Sequence, residues 1–447
     1  MKNNTFINLC HKIGLKMKDV RRRDILFFKL KTNSEMKRII ENFLSLSLLQ
    51  GLNYFLPLII LPYLVRVIGI EKFGLLSFAT ATIVYFQILT DYGFNLSATR
   101  EIAINRANKY KIQEIFNSVI FIKCMLTFIS FILLAIIVLT FKRFRNDWIV
   151  YFLTFGIVVG NTLFPIWFFQ GMEKMKYITF LNILAKGLFT LTIFIFVKNW
   201  QDYWKVPLLN SLGFISSGIL SLWIISKNFD IKFIKPGFNS IKTQFIDSSQ
   251  FFLSRVSVSI YTSSNVFILG IFTNNTMVGY YSIAEKLYQA LQQVYFPLTQ
   301  ATYPYIANTK NSKLFKKIFK FATIGNFIIV ILLFVFAGSL FEILFSNRFN
   351  YESIYVFRIL LISALIVVPS IILGYPFLAA MGYPEYANKS VIYGSLLHIF
   401  GLLLLVITNH INIYSVAILV ILTETTVLIY RIYFSIREGL WMTREEK

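Results

Sequence analysis

Eight ionisable side chains inside long apolar stretches of this 447-residue chain are candidates for a chemical role. Insertion scales put the cost of one charge at a bilayer centre at about 2.5–3.5 kcal/mol, so each needs a partner, a cavity or water. Glu285 and Lys286 are adjacent, so on one helix they point to different sectors and cannot simply neutralise each other. We predict that this pair faces a cavity; a structural role is the alternative. The eight residues are Asp91, Lys123, Lys186, Arg255, Glu285, Lys286, Arg358 and Glu424.

Other members of this set have a simpler interpretation. Asp91, Lys123 and Arg358 are close to the predicted ends of their apolar stretches, and Arg255 is about one turn inside its own. Long side chains at such positions can extend to the membrane surface and keep the charge in water. Lys186 and Glu424 are deeper, and a functional and a structural role remain equally open for them.

Prolines interrupt the same apolar stretches. Proline removes a backbone donor and kinks a helix, which suits a protein that opens alternately to each side of a membrane. The alternative is that proline is simply frequent in membrane helices. The apolar stretch 355–380 contains Pro369, Gly374 and Pro376. The predicted hinges are Pro57 and Pro62 in the stretch 42–65, and Pro297 and Pro304 in the stretch 279–305.

The chain lacks the motifs of a soluble enzyme. It has two cysteines, Cys10 and Cys124, and its three histidines are scattered, so neither a disulfide framework nor a metal site is predicted. We find no phosphate-binding loop, no nucleophile elbow and no segment long enough for a nucleotide domain. We therefore predict a non-enzyme without a cofactor. Transport, if it occurs, would run on an ion gradient or on the substrate's own gradient.

The elements that must position these residues are membrane helices. The chain is 56% hydrophobic and 15% charged, whereas soluble domains are about a quarter charged. About 20 apolar residues span a bilayer as a helix, and backbone groups in lipid must be satisfied internally. We predict an all-α membrane protein with about twelve transmembrane helices. The stretches are 42–65, 74–94, 117–140, 148–169, 177–197, 206–226, 250–272, 279–305, 321–345, 355–380, 388–408 and 413–434.

Net charge indicates the orientation. The formal charge is +23. Because the basic residues mostly flank apolar stretches, we interpret this charge as a sign of which loops face the cytoplasm, rather than of nucleic-acid binding. With the N-terminus inside, most Lys and Arg residues fall in cytoplasmic connections, and an even helix number puts both termini in the cytoplasm. The clearest inner loop has lysines at 310, 313, 316, 317 and 320. The exception is the outer loop 141–147, which contains Lys142, Arg143 and Arg145.

Spacing divides the chain into two halves of six helices each. Gly74–Ala79 resembles Gly279–Ala284, and both segments open the second helix of their half, which predicts parallel repeats. Residues 1–38 form a basic cytoplasmic tail that could bind anionic lipid headgroups. Alternatively, Met36 is the true first residue. The predicted units are 1–38 (tail), 39–226 (N-terminal half), 227–249 (cytoplasmic linker), 250–434 (C-terminal half) and 435–447 (cytoplasmic tail).

Several motifs together are similar to a known family. The segment with Asn53-Tyr54, Pro57-Leu58, Pro62-Tyr63-Leu64, Arg66, Gly69 and Phe73-Gly74 resembles the opening of Wzx-type O-antigen flippases. The likeness covers about residues 40–400. It continues through Asp91–Arg100; Trp167, Phe169-Gln170-Gly171, Glu173 and Met175; and Gly279–Ser282, Ala284, Lys286, Pro297-Leu298 and Tyr303-Pro304.

The resemblance implies a transporter of the multidrug/oligosaccharidyl-lipid/polysaccharide exporter superfamily, with two six-helix lobes around a central cavity. Such proteins lie in the bacterial inner membrane. They move undecaprenyl-pyrophosphate-linked sugar repeat units from the cytoplasmic to the periplasmic leaflet for O-antigen or capsule synthesis. The implied partners are the lipid-linked oligosaccharide, membrane lipids, and a polymerase and chain-length regulator of the same pathway.

On this resemblance, cationic residues would bind the pyrophosphate through charge-assisted hydrogen bonds. The candidates are Arg66, Arg100, Lys186, Arg255 and Lys286. Polar and aromatic side chains would line the path of the sugar, namely Asn53, Tyr54, Gln87, Tyr281, Gln289 and Gln292. A carboxylate could bind a coupling ion, proton or sodium, and bias the equilibrium between the lobes. The candidates are Asp91, Glu285 and Glu424.

Three other functions compete with this interpretation. A drug or metabolite antiporter of the same superfamily would share the two-lobe plan, although the segment Asp91–Arg100 favours the polysaccharide branch. A polytopic O-antigen polymerase or ligase would usually need one large outer loop, and every predicted outer loop is short. A membrane scaffold would require a structural role for Glu285 and Lys286.

Overall fold

Helices account for nearly all of the described residues. The computed structural model describes residue 51, residues 56–346 and residues 349–441, and within 253–262 it describes the backbone only. No β-strand occurs among these residues, so the predicted all-α class is confirmed. The predicted tail 1–38, Asn53, Tyr54 and the side chain of Arg255 lie outside the described residues.

We number the helices in chain order. Residues 56–91 are helical, and Gly69, with a φ of +79°, divides them into α1 (56–68) and α2 (70–91). The N-terminal half continues with α3 Phe94–Ile104, α4 Lys109–Thr140, α5 Lys142–Arg145, α6 Trp148–Leu163, α7 Ile166–Gly171, α8 Met175–Phe196 and α9 Lys205–Asn228. The remaining helices are α10 Phe238–Phe272, α11 Asn275–Gln293, α12 Phe296–Thr309, α13 Ser312–Val335, α14 Ala337–Phe345, α15 Tyr351–Leu373, α16 Pro384–Ile407 and α17 Ile413–Arg437.

Asparagines in the short connections explain where several helices begin. Asn108, Asn274, Asn311 and Asn412 each accept a hydrogen bond from a backbone N–H in the first turn of the helix that follows. These N–H groups have no partner within the helix, so a side-chain acceptor at this position stabilises the helix start.

Eight helical segments among the described residues are long and apolar enough to cross a membrane. They coincide with the third to sixth and the ninth to twelfth predicted stretches. The total of twelve remains a prediction. The eight segments are Lys109–Thr140, Trp148–Gly171, Met175–Phe196, Trp200–Asn228, Ser312–Val335, Tyr351–Ala379, Pro384–Ile407 and Ile413–Arg437.

Two predicted proline sites coincide with changes in helix geometry. The eighth predicted stretch is two helices rather than one, because α11 ends at Gln293 and Pro297 occupies the first turn of α12. In the tenth, α15 continues into a π-helix at Gly374–Ala379. Pro57 and Pro62 lie in continuous helix, and Pro304 lies inside α12. Their role as hinges remains a prediction.

The helix α10 contacts both halves of the chain. Near its start, the Ser248 hydroxyl is 2.7 Å from that of Ser97, and the ring of Phe252 stacks on Tyr92 at 4.8 Å. Near its end, Asn265 Oδ1 is 2.8 Å from His398 Nε2 on α16. The two halves therefore meet along α10, which begins at Phe238 inside the predicted linker 227–249.

Candidate functional site

A cavity of 470 Å³ lies between the two halves and collects charged residues from both. The N-terminal half contributes Lys186 from α8, and the C-terminal half contributes Glu285 and Lys286 from α11. The central cavity thus holds two ammonium groups and one carboxylate. Its other polar lining residues are Ser77, Thr80, Thr190, Asn210, Ser263, Ser282 and Gln289.

A second cavity, of 280 Å³, lies inside the C-terminal half. Glu424 and Arg431 from α17 line it, together with Glu285 and Gln289, which also line the central cavity. Glu285 therefore stands between the two spaces. Tyr281 and Gln292, predicted to line the sugar path, lie in this C-terminal cavity instead. Two of the three predicted coupling carboxylates, Glu285 and Glu424, thus share one cavity.

Arg431 is a residue that the sequence interpretation missed. It is buried, and its Nη1 donates to the Ser370 carbonyl oxygen at 2.6 Å, while its Nε donates to Ser390 Oγ at 2.9 Å. Gly374 permits this approach, because a Cβ there would lie 2.9 Å from Nη1. The available signal was spacing, since residues seven apart on a helix share a face and Glu424 is seven positions earlier.

A third cavity, of 250 Å³, lies inside the N-terminal half. Gln87, Asp91, Asn95, Lys123 and Asn161 contribute its polar groups. Lys123 Nζ is 3.9 Å from Asp91 Oδ1, and Asn95 Nδ2 donates to the same oxygen at 2.6 Å. The structure thus separates Asp91 from the other predicted coupling carboxylates and Gln87 from the central cavity.

Three predicted or candidate cations line none of these three cavities. Arg66 is exposed on α1 and donates to the Ile343 carbonyl oxygen at 2.5 Å. Arg100 is exposed on α3. Arg358 is half-buried, with its guanidinium 5.3 Å from the centre of the Phe334 ring. Substrate-binding roles for Arg66 and Arg100 remain predictions, and the central cavity offers them no support.

At one end of the central cavity the two halves touch through glycines. A Cβ on Gly74 of α2 would overlap the Asn275 carbonyl oxygen and lie 2.6 Å from the amide nitrogen of Gly279 on α11. A Cβ on Gly279 would likewise overlap the Ile70 carbonyl oxygen. These are the first residues of the two similar segments found in the sequence. We call this contact between α2 and α11 the glycine seam.

Arg143 joins the two halves beside the glycine seam. Its Nη2 donates to Asn275 Oδ1 at 2.7 Å and its Nε donates to the Gly270 carbonyl oxygen at 2.9 Å. The guanidinium also lies 5.3 Å from the centre of the buried Phe78 ring. Arg143 belongs to the loop 141–147, which was the exception to the predicted charge asymmetry. A specific contact between the halves therefore explains its presence there.

Known membrane transporters share this all-helical architecture, with two halves around a central cavity. The structure is similar to "Lipid II flippase MurJ, inward closed conformation", with a TM-score of 0.64 at 12% identity, covering 89% of this chain and 87% of that one. It is also similar to an inward-facing "multidrug resistance MATE family transporter of the MOP superfamily", with a TM-score of 0.60 at 12% identity, covering 87% and 96%. The predicted two-lobe fold is confirmed.

The sequence places the chain in a family within this class. Residues 39–310 match the family described as polysaccharide biosynthesis protein, and the chain belongs to it. A protein of Escherichia coli (strain K12), described by its name as an O-antigen transporter, is 35% identical over 277 residues, covering 62% of this chain and 67% of the relative. One of Shigella dysenteriae, with the same description, is 28% identical over 396 residues, covering 87% and 98%. The predicted resemblance is confirmed: the chain is a multi-pass membrane protein of a transporter family and not an enzyme.

Proposed function

We propose that this protein is an inner-membrane flippase. It moves undecaprenyl-pyrophosphate-linked oligosaccharide repeat units from the cytoplasmic to the periplasmic leaflet, for O-antigen or capsule synthesis, and both its termini lie in the cytoplasm. The central cavity, with Lys186 and Lys286 contributed by opposite halves, is the observation that carries the proposal. The names of the two relatives and the family match support it.

The charge of the cavity suits a lipid-linked pyrophosphate. This group does not cross hydrocarbon unaided, and charge-assisted hydrogen bonds from lysines replace part of its hydration. Because the two lysines belong to different halves, a bound pyrophosphate is held by both halves at once. The lipid tail stays in the bilayer while the headgroup passes between them.

Movement of the substrate requires the cavity to open first to one side and then to the other. The glycine seam and Arg143 close the end that the predicted topology assigns to the periplasm. Release into the periplasmic leaflet requires these contacts to separate. A polymerase and a chain-length regulator of the same pathway would then receive the exported unit.

Coupling to an ion is the second part of the proposal. Glu285 lines both the central and the C-terminal cavity, and Glu424 lines the latter. A proton or sodium ion bound among these carboxylates changes the charge that Glu285 presents to Lys286 and to the substrate. The affinities for ion and substrate are then linked, as coupled transport requires.

A drug or metabolite antiporter is the alternative that an observation favours, because MATE transporters share the fold. A deletion strain distinguishes the flippase from the antiporter. Deletion of the gene in its native host should abolish the surface polysaccharide and leave lipid-linked repeat units on the cytoplasmic side, without changing drug susceptibility. Normal surface polysaccharide together with increased drug susceptibility would overturn the flippase proposal in favour of the antiporter.

Inside-out vesicles test the coupling. Labelled repeat units that enter the lumen become protected from periodate, which gives an initial rate under an imposed proton or sodium gradient. We expect one of the two gradients to accelerate the wild type and neither to accelerate Glu285→Gln or Glu424→Gln. A wild-type rate that ignores both gradients would reject ion coupling while leaving the flippase proposal intact.

A further inference from the structure

The cavity inside the N-terminal half has no task in the mechanism above. Its volume of 250 Å³ is far more than the roughly 30 Å³ that one water occupies in the liquid. Val84 of α2 lines both this cavity and the central one, so the two cavities adjoin at this side chain. A group bound in the central cavity is therefore adjacent to whatever the N-terminal cavity holds.

Lys123 indicates that this space receives a polar ligand. Its side chain is only 5% exposed, and the oxygen of Asp91 at 3.9 Å is beyond hydrogen-bonding distance. An ammonium group has three donors, and leaving them unmade in a buried site is costly. The same Asp91 oxygen already accepts from Asn95 at 2.6 Å. Lys123 therefore presents ammonium donors to a polar group bound in the cavity.

The lining also indicates which chemical class fits. One ammonium and one carboxylate balance each other, so neither an anion nor a cation is favoured. The amides of Gln87, Asn95 and Asn161 each offer both donors and acceptors. Hydroxyl groups, which also donate and accept, complement such a set. The ring of Phe164 supplies an apolar wall for the C–H face of a sugar.

We propose that the N-terminal cavity binds a neutral sugar ring of the lipid-linked repeat unit. This inference rests on the proposed flippase function and divides the headgroup between two sites. The pyrophosphate lies against Lys186 and Lys286 in the central cavity, and an adjoining sugar enters past Val84. The N-terminal cavity thereby determines which sugars the flippase accepts.

Substitutions that remove hydrogen bonds without introducing charge test this site. Gln87→Leu and Asn161→Leu are expressed in the deletion strain together with the gene cluster for the native repeat unit. A second strain makes a unit that differs only in the sugar attached to the pyrophosphate. Asn182→Leu is the matched control, because Asn182 lies on α8, donates to its own helix at the Ile178 carbonyl oxygen, and lines none of the three cavities.

We expect each cavity variant to lower export of the native unit about five- to tenfold, the usual effect of losing one neutral hydrogen bond. Export of the second unit should fall less, so the preference for the native unit decreases. Asn182→Leu should match the wild type, and immunoblots should show equal protein amounts.

Wild-type export by both cavity variants, or equal loss of export of both repeat units, would overturn the proposed sugar site. Failure of the flippase proposal is distinguishable, because the deletion strain would then keep its surface polysaccharide.

Discussion

The helices α2 and α11 begin alike and then diverge. Gly74 and Gly279 meet at the glycine seam, and five positions later Ala79 and Ala284 are both fully buried. The next two residues all line the central cavity, yet they differ in kind. They are Thr80 and Ala81 in α2, and Glu285 and Lys286 in α11.

The difference between α2 and α11 distinguishes two constraints on their sequences, close backbone packing and exposure to a cavity. Where the backbones of the two halves touch, only glycine leaves room, so both copies carry it. Where the helices face open space, packing sets no such limit and the copies differ. The N-terminal half therefore supplies its central ammonium group from α8, through Lys186, rather than from α2.

Removing the positive charge of Lys286 on α11 should have the largest effect on export. We expect Lys286→Ala to lower export about ten- to a hundredfold, because it deletes a charge-assisted contact with the pyrophosphate. Adding Ala81→Lys should recover part of this loss, since position 81 lines the same cavity from α2. Export per unit of protein is the measurement. Lys389→Ala is the control, because Lys389 is exposed and lines none of the three cavities. Normal export by Lys286→Ala would remove this lysine from the site.

Substitution of Gly74 or Gly279 should have the second-largest effect on export. Gly74→Ala and Gly279→Ala each place a methyl group against backbone atoms of the other half, so the glycine seam must separate. We expect export to fall severalfold and a cysteine at position 80 to react faster with an impermeant periplasmic thiol reagent. The background carries Cys10→Ser and Cys124→Ser. Gly325→Ala is the control, because its added Cβ meets nothing within 4 Å. Unchanged reactivity would show that the glycine seam does not seal this end.

Loss of the Arg143 contact beside the glycine seam should lower export less than disruption of the glycine seam. Arg143→Ala removes two hydrogen bonds between the halves, and we expect export to fall about two- to fivefold. Arg145→Ala removes the same outer charge from an exposed position and should behave as wild type. Asn275→Ala combined with Arg143→Ala should be no worse than Arg143→Ala alone. Equal losses from both arginine variants would assign the effect to topology rather than to the contact.

A surface contact of the predicted linker 227–249 should have the smallest effect on export. A hydrogen bond from Lys109 lowers the pKa of Asp230 below its ordinary value, so this pair stabilises the fold above that value and ceases to do so as the pH falls through the lowered pKa. Both side chains are exposed, which makes the contribution small. We expect Asp230→Asn to lower the Tm slightly at pH 7, by progressively less as the pH falls through the lowered pKa, and to leave export unchanged. A larger loss of export than that caused by Arg143→Ala would contradict this ranking of the variants.

Pairwise placements show where sequence reasoning succeeded and where it did not. The sequence predicts that Glu285 and Lys286 face a cavity, and the structure places both at the central cavity. The grouping of Asp91 with Glu285 and Glu424 rested on charge alone, and the structure separates Asp91 from the other two. Charge tells which side chains avoid lipid. Their neighbours depend on how each helix is rotated and what packs against it.

The sequence by itself determined that this is a helical membrane protein, because long apolar stretches with few charges can satisfy their backbone in lipid only as helices. It also determined the repeated glycines and the family. Tertiary structure alone decided that the polar residues divide among three cavities, and that Arg143 holds two halves together rather than marking a side of the membrane. Such contacts join residues more than 100 positions apart, and only the packing of whole helices brings them within hydrogen-bonding distance.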